Sequence, residues 1–209
     1  MDTQKFIGDS TSERQEWHLD YVDFLTHGDV SHIAQVEQLD KMRSLLEVLA
    51  EYSGKLTIHS NLASVLELNC LVKTPKLHFL DSGQLASLRG NSLERLDIGR
   101  TEFGPLLESF VFSELLKLSN WTSEQYSFSH FRDKQGNEVD VVMEDRRGRV
   151  IGVEVKAEAT VSSRDFSGLR RLATACGDRF VTRLVLYDYD QILPFGDRMW
   201  AAPVSALWS

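Results

Sequence analysis

Three residues in one short stretch have the types and spacing to do chemistry together: Asp140, Glu154 and Lys156, within FRDKQGNEVDVVMEDRRGRVIGVEVK at 131–156. Two carboxylates beside an ammonium suit a divalent cation that positions and activates a water, with the lysine steadying negative charge on a phosphoryl group. Magnesium uses one or two carboxylates and keeps several waters, which leaves positions for substrate oxygens. For the three residues to meet, the stretch must fold as two strands and a turn. Glu138–Glu144 alternates acidic and apolar residues, Asp145–Gly148 is charged and ends in glycine, and Val150–Val155 alternates again, so a hairpin is expected. Side chains two apart on a strand share a face. Glu154 and Lys156 therefore point one way and Ile151, Val153 and Val155 the other, while Asp140 shares its face with Glu138 and Val142. Pairing across the turn would let Asp140 and Glu154 converge beside Lys156. A Glu-x-Lys on an edge strand is also what a solvated face presents, so the pair by itself decides nothing.

A third carboxylate comes from a different kind of element. Phe103-Gly104-Pro105 opens an apolar helix expected to run to about Leu118, with Pro105 suited to its first turn. At helical spacing Glu108 falls inside the apolar arc, between the directions of Leu115 and Phe112. A carboxylate there must be paired, protonated or bound to metal, because burying a lone charge is costly. Glu114 also falls within that arc and is the weaker competitor. A salt bridge at a helix end or between domains is the structural alternative for Glu108.

Composition bounds the rest. The chain has 209 residues, 42% of them hydrophobic, enough for one good core and a small appended subdomain. No apolar run approaches a membrane span, and residues 1–12 lack the apolar core of a signal peptide, so a cytoplasmic protein is expected. Cys70 and Cys176 have no metal-type spacing and are expected to be reduced thiols. The net charge of −8 is uneven: residues 1–70 carry 12 acids and 5 bases, whereas residues 71–209 carry 19 and 18. Phosphate affinity comes from Lys and Arg, so the first part is a poor nucleic-acid binder and the second is more permissive. No G-x-x-x-x-G-K-[ST] run is present to cradle a nucleoside triphosphate, nor a nucleophile elbow or a His pair at i,i+4. Among the six histidines only His130 adjoins the hairpin.

Read in order, residues 1–12 form a loose polar start, and helices are expected over Glu13–Thr26, about Val36–Tyr52 and from Leu62 to Leu68. The last follows a plausible cap at Ser60-Asn61. Leu71–Leu80 contains a strand-like KLHFL, and Gln84–Leu88 is one or two helical turns. Beyond the hairpin, Asp165–Cys176 is an Arg-bearing helix ended by Gly177. Phe180–Leu186 reads as a buried strand, and Met199–Ala202 as a last strand before the Val204–Trp208 tail. Arg164, Arg170 and Arg171 could line a phosphate path or form a solvated helix face.

The order acidic helix residue, Asp strand, Glu-x-Lys strand, helix, strand resembles the PD-(D/E)xK nuclease core. More widely, the chain resembles the C-terminal portion of a family of prokaryotic AAA-superfamily ATPases, in which the ATPase core precedes a winged-helix segment and a domain of unknown function with a PD-(D/E)xK-like fold. The matching runs are LVKTPKLHFLDSG at 71–83, FGPLLESFVFSEL at 103–115, HFRDKQGNEVDVVMED at 130–145, GVEVKAEATV at 152–161, FSGLRRLA at 166–173 and LPFGDRMWAAPVSALW at 193–208. A fainter likeness extends over Trp17–Val30 and Leu39–Leu68. By position, the resemblance implies that Glu108, Asp140 and Glu154 hold Mg²⁺ or Mn²⁺ and that Lys156 completes a catalytic set. It also places Arg132, in the family's aromatic-Arg position, where a carboxylate or phosphate would be held.

Departures from the family pattern are equally informative. The ATPase core has no counterpart here, so no ATPase activity is expected. His27-Gly28-Asp29 lacks the Arg that usually precedes the Asp. Only Asn69 and Cys70 separate Leu68 from Leu71, where the family has a recognition helix and a wing. The expected architecture is α+β, in the broad α/β class: a flexible N-terminus at 1–12, a small helical bundle at 13–70 derived from a winged helix, and at 71–209 a restriction-endonuclease-like domain with a central mixed sheet flanked by helices. The bundle is expected to pack on that domain or on another copy through Leu45, Leu46, Leu49 and Leu66, or to use these leucines for its own core, and not to read DNA sequence. Two functions stand: a metal-dependent nuclease acting on DNA, and a non-catalytic module that binds DNA or a protein partner through a degenerate nuclease fold.

Overall fold

Helices come first and strands follow. The computed structural model describes residues 11–24, 40–55, 76–91, 96 and 100–209, which divide into two compact units, Met1–Ser109 and Phe110–Ser209. The helix expected at 62–68, with Leu66, lies outside the described residues.

In the first unit α1 spans Thr11–Phe24, α2 Asp40–Tyr52 and α3 Ser82–Leu88, and α4, Arg100–Asn120, begins there. Asp81 starts α3 by accepting the Gln84 N–H at 2.9 Å, one of the donors a helix start leaves unpaired. Arg89 closes the C-terminal end of α2: its guanidinium donates to the carbonyl of Ala50 at 2.8 Å, which also accepts the Ser53 N–H at 3.2 Å, and to that of Ser53 at 3.2 Å. Ala50, Leu85 and Leu106 form the core here, with Phe79, Ala86, Leu88, Leu96 and Phe103 packed against it. Leu45, Leu46 and Leu49 are half-buried. The apolar helix starts at Arg100, three residues before the Phe103 expected from Gly104-Pro105, which places Pro105 inside it.

The second unit is built on one mixed sheet of order β1-β2-β3-β4-β6-β5. Its strands are β1 Tyr126–Arg132, β2 Glu138–Asp145, β3 Val150–Lys156, β4 Phe180–Tyr187, β5 Leu193–Gly196 and β6 Met199–Pro203. β1, β2 and β3 pair antiparallel, β4 joins β3 and β6 in parallel, and β5 pairs antiparallel with β6. The β2–β3 hairpin appears where alternation places it. Asp145 closes its turn by accepting the N–H groups of Arg147 at 2.9 Å and Arg149 at 2.8 Å, and Gly148 takes the positive φ of 76° that a β-carbon would strain.

A parallel pair requires a crossover, here a 3-10 turn at Ser163–Phe166 leading into α5, Ser167–Cys176. The segment was expected to be one helix from Asp165. The tight turn takes its first residues instead, capped by Ser162 and Asp165. α5 covers the face bearing Gly152, where a β-carbon would meet Leu169, Leu172 and Phe180. Phe166, Leu169, Leu172 and Ala173 join Val142, Val150, Val185 and Ala201 in the core. On the opposite face Phe128, paired with Met143, meets Phe112 of α4 edge to face at 5.7 Å. The sheet of this unit thus has helical residues on both faces, an α+β arrangement as expected. Among the described residues no helix is long and apolar enough to cross a membrane.

Candidate active site

The register of β2 and β3 places the acidic residues. Met143 pairs with Ile151, Val142 with Gly152 and Val141 with Val153, and the pairing ends there; continued by one step, that register would set Asp140 opposite Glu154. Directly opposed residues of an antiparallel pair project from the same face. The step is fastened by a side chain: the Val155 N–H donates to Asp140 Oδ2 at 2.9 Å. Lys156 lies two residues beyond Glu154 on the same face, beside Tyr187 of β4 in the parallel register. Asp140, Glu154 and Lys156 are all half-buried. Glu154 and Lys156 thus share one face of β3, and Asp140 is tied to that strand through the Val155 N–H.

Lys156 meets two more acids. Its ammonium donates to Asp165 Oδ1 at 2.5 Å and stands 3.5 Å from Glu158 Oε2. Burial disfavours the ammonium, but the hydrogen bond and charge of Asp165, with Glu158, outweigh it and hold the lysine pKa above its usual value. Burial likewise pushes Asp165 up, and Lys156 and the Ser162 hydrogen bonds overcome it, leaving that carboxyl below the usual range. Lys156 is accordingly a fixed cation at neutral pH, suited to stabilising charge and unsuited to taking a proton. Asp165 was not among the expected site residues. Its signal in sequence was the Ser162-x-x-Asp165 capping pattern ahead of an apolar run.

Glu108 belongs to the first unit, where the structure supplies the partner its apolar surroundings demand. Its carboxylate pairs with the Lys76 ammonium, and His78 Nε2 lies 3.7 Å from the same oxygen, with all three side chains largely buried. Glu114, the competitor, pairs with Lys117. Arg132 holds the Glu138 carboxylate at 2.8 Å. Arg171 is 3.6 Å from Asp133, and Arg170 donates to the Ser163 carbonyl at 2.6 Å while lying over the Phe166 ring. His130 is half-buried, at an irregularity of the β1–β2 pairing. Among the described residues no group of three or more His, Cys, Asp or Glu side chains is placed to hold a metal ion. Asp140 and Glu154 make a pair, which is within the number of carboxylates magnesium requires.

No curated protein matches the sequence. In structure, the chain is similar to one from the refined half-complex of the tetradecameric assembly of Thermococcus gammatolerans McrB AAA+ hexamers with bound McrC. The identity is 14% and the TM-score 0.33, over 89% of this chain and 46% of the other, so this chain spans less than half the length of that one. At that TM-score the likeness bears on neither fold nor activity. Residues 103–207, half of the sequence and nearly all of the sheet-bearing unit with its site, match the family described as Domain of unknown function (DUF4143), and the chain belongs to that family.

Proposed function

We propose that the second unit is a nuclease-like domain that acts on a DNA phosphodiester with Mg²⁺ or Mn²⁺. One observation carries the reading: Asp140, just past the end of the β2–β3 pairing, accepts the Val155 N–H next to Glu154, and Lys156 follows Glu154 two residues on along β3. These two carboxylates are the residues that would hold the ion, leaving its other positions to water and substrate oxygens. When bound, the ion supplies Lewis acidity toward a phosphoryl oxygen. Lys156 contributes its positive charge where negative charge develops, and losing one such donor costs about 2.7–4 kcal/mol of transition-state stabilisation in comparable sites. Arg132, Arg170 and Arg171 are exposed and would meet the DNA backbone by exchanging their present partners for phosphate. Glu108 remains with Lys76. The resemblance to the C-terminal part of AAA-superfamily ATPases makes a protein partner, another copy or a separate chain, part of the same proposal.

Plasmid cleavage in Mg²⁺ or Mn²⁺ tests the activity. Nicking is expected from the unaltered chain and is lost in Asp140→Asn and in Lys156→Ala; cleavage that survives both substitutions overturns the assignment.

A specific observation favours the second reading, a non-catalytic module that binds DNA or protein. The Lys156 ammonium is already engaged by Asp165, and one Asp140 oxygen by the Val155 N–H. Under that reading binding of DNA or of a protein partner persists without divalent cations and no cleavage accompanies it.

A further inference from the structure

Asp165 is a charged residue at this face that the strand register does not account for. It comes from the 3-10 turn before α5, and both of its oxygens are committed. Oδ1 accepts the Lys156 ammonium at 2.5 Å, while Oδ2 accepts the Ser162 N–H at 2.6 Å and the Ser162 hydroxyl at 3.0 Å. The Asp165 N–H returns a bond to the Ser162 carbonyl at 3.1 Å, so the carboxylate is braced by its own turn. The turn is seated in its place by Gly168, three residues on. A β-carbon at Gly168 would fall 1.8 Å from the Glu138 carbonyl oxygen, so α5 begins directly against the β2 backbone.

Lysine is a long side chain whose many rotamers must be restricted for its charge to act at one point. Pre-set charge is what electrostatic catalysis needs, because nothing then reorganises as the reaction proceeds. We propose that Asp165 is a positioning residue for Lys156: braced by Ser162 and seated by Gly168, its carboxylate fixes where the ammonium stands beside Asp140 and Glu154. What Lys156 does there rests on the nuclease-like reading given above; where it stands does not. In this role Asp165 acts through the lysine.

The test is acylation of lysines at one fixed pH, with the extent at Lys156 read by mass spectrometry against the exposed Lys134 of the same full-length chain. Lys156 is expected to be slow in the unaltered protein and severalfold faster in Asp165→Asn. Ser162→Ala, which leaves the charge and loosens only the brace, gives a smaller rise, and Asp165→Glu restores part of the protection. Unchanged labelling in a folded Asp165→Asn overturns the proposal, and if that variant does not fold, unchanged labelling in Ser162→Ala does so. Plasmid cleavage is measured on the same proteins. There Asp165→Asn lowers kcat by up to about 10²-fold with KM unchanged, the pattern of a misplaced group. Faster labelling with no cleavage by the unaltered chain supports the positioning role and sinks the nuclease reading, whereas cleavage with unchanged labelling does the reverse.

Discussion

Replacing Gly168 by alanine sets a β-carbon 1.8 Å from the Glu138 carbonyl oxygen and 2.8 Å from its carbon, both backbone atoms inside a sheet. Ordinary contact begins near 3.4 Å, so α5 must lift locally by roughly 1.6 Å. A radial gap of even 0.5–1 Å forfeits about a quarter to a half of each contact's attraction. The helix and its leading turn bury Phe166, Leu169 and Leu172, each at 5% exposure or less. At about 1.5–3 kcal/mol per large apolar side chain, losing a quarter to a half for three of them amounts to roughly 1–4.5 kcal/mol. Alanine's better helix propensity returns up to about 1 kcal/mol. The net expectation is a loss of about 1–3 kcal/mol, measured by urea unfolding, with Trp121, Trp200 and Trp208 reporting on the second unit and Trp17 on the first. The informative control is Gly152→Ala, whose β-carbon would meet as its nearest neighbours the side-chain tips of Leu169, Leu172 and Phe180. Side-chain tips can give way, so it is expected to cost less than Gly168→Ala. A midpoint for Gly168→Ala that is unchanged or raised would refute the direct seating of α5 on β2.

Other perturbations probe separate parts of the chain. Glu108→Ala leaves the buried Lys76 ammonium without its carboxylate and is expected to destabilise the first unit by about 3–5 kcal/mol, seen in the same unfolding experiment. Asp81→Ala removes the acceptor at the start of α3 and costs about 0.5–2 kcal/mol. Asp133, Asp145 and Asp165 are pushed up by burial but held below the usual carboxylate range by hydrogen bonds and by Arg171, Arg149 and Lys156. Their contribution to stability is therefore complete above the unfolded pKa, near 3.9, and lost as pH falls through the lower folded values. Acid unfolding should accordingly concentrate below about pH 4 and flatten in Asp145→Asn.

Local pattern revealed the hairpin because alternation, a charged turn and Gly148 all agreed on one register, whose last pair is Val141 with Val153, next to Asp140 and Glu154. It did not reveal β1: the aromatics at Tyr126 and Phe128 alternate, but the irregularity between Ser129 and Phe131 breaks the period just before Arg132. β5 was hidden for a different reason. Pro194 cannot donate to a ladder, and its segment survives as a strand only at the sheet edge. Helical spacing correctly demanded a partner for Glu108, yet Lys76 and His78 lie some thirty residues earlier, beyond the reach of any local pattern. Asp165 reads as a cap until the sheet is folded, when the same carboxylate meets Lys156.

The central claim is that Asp140 and Glu154 hold a divalent cation, and it is tested most directly by calorimetric titration of Mn²⁺ and Mg²⁺ into the full chain. Saturable binding is predicted for the unaltered protein, abolished by Asp140→Asn and by Glu154→Gln, and retained in Lys156→Ala. No binding, or binding that survives both carboxylate substitutions, would contradict the account.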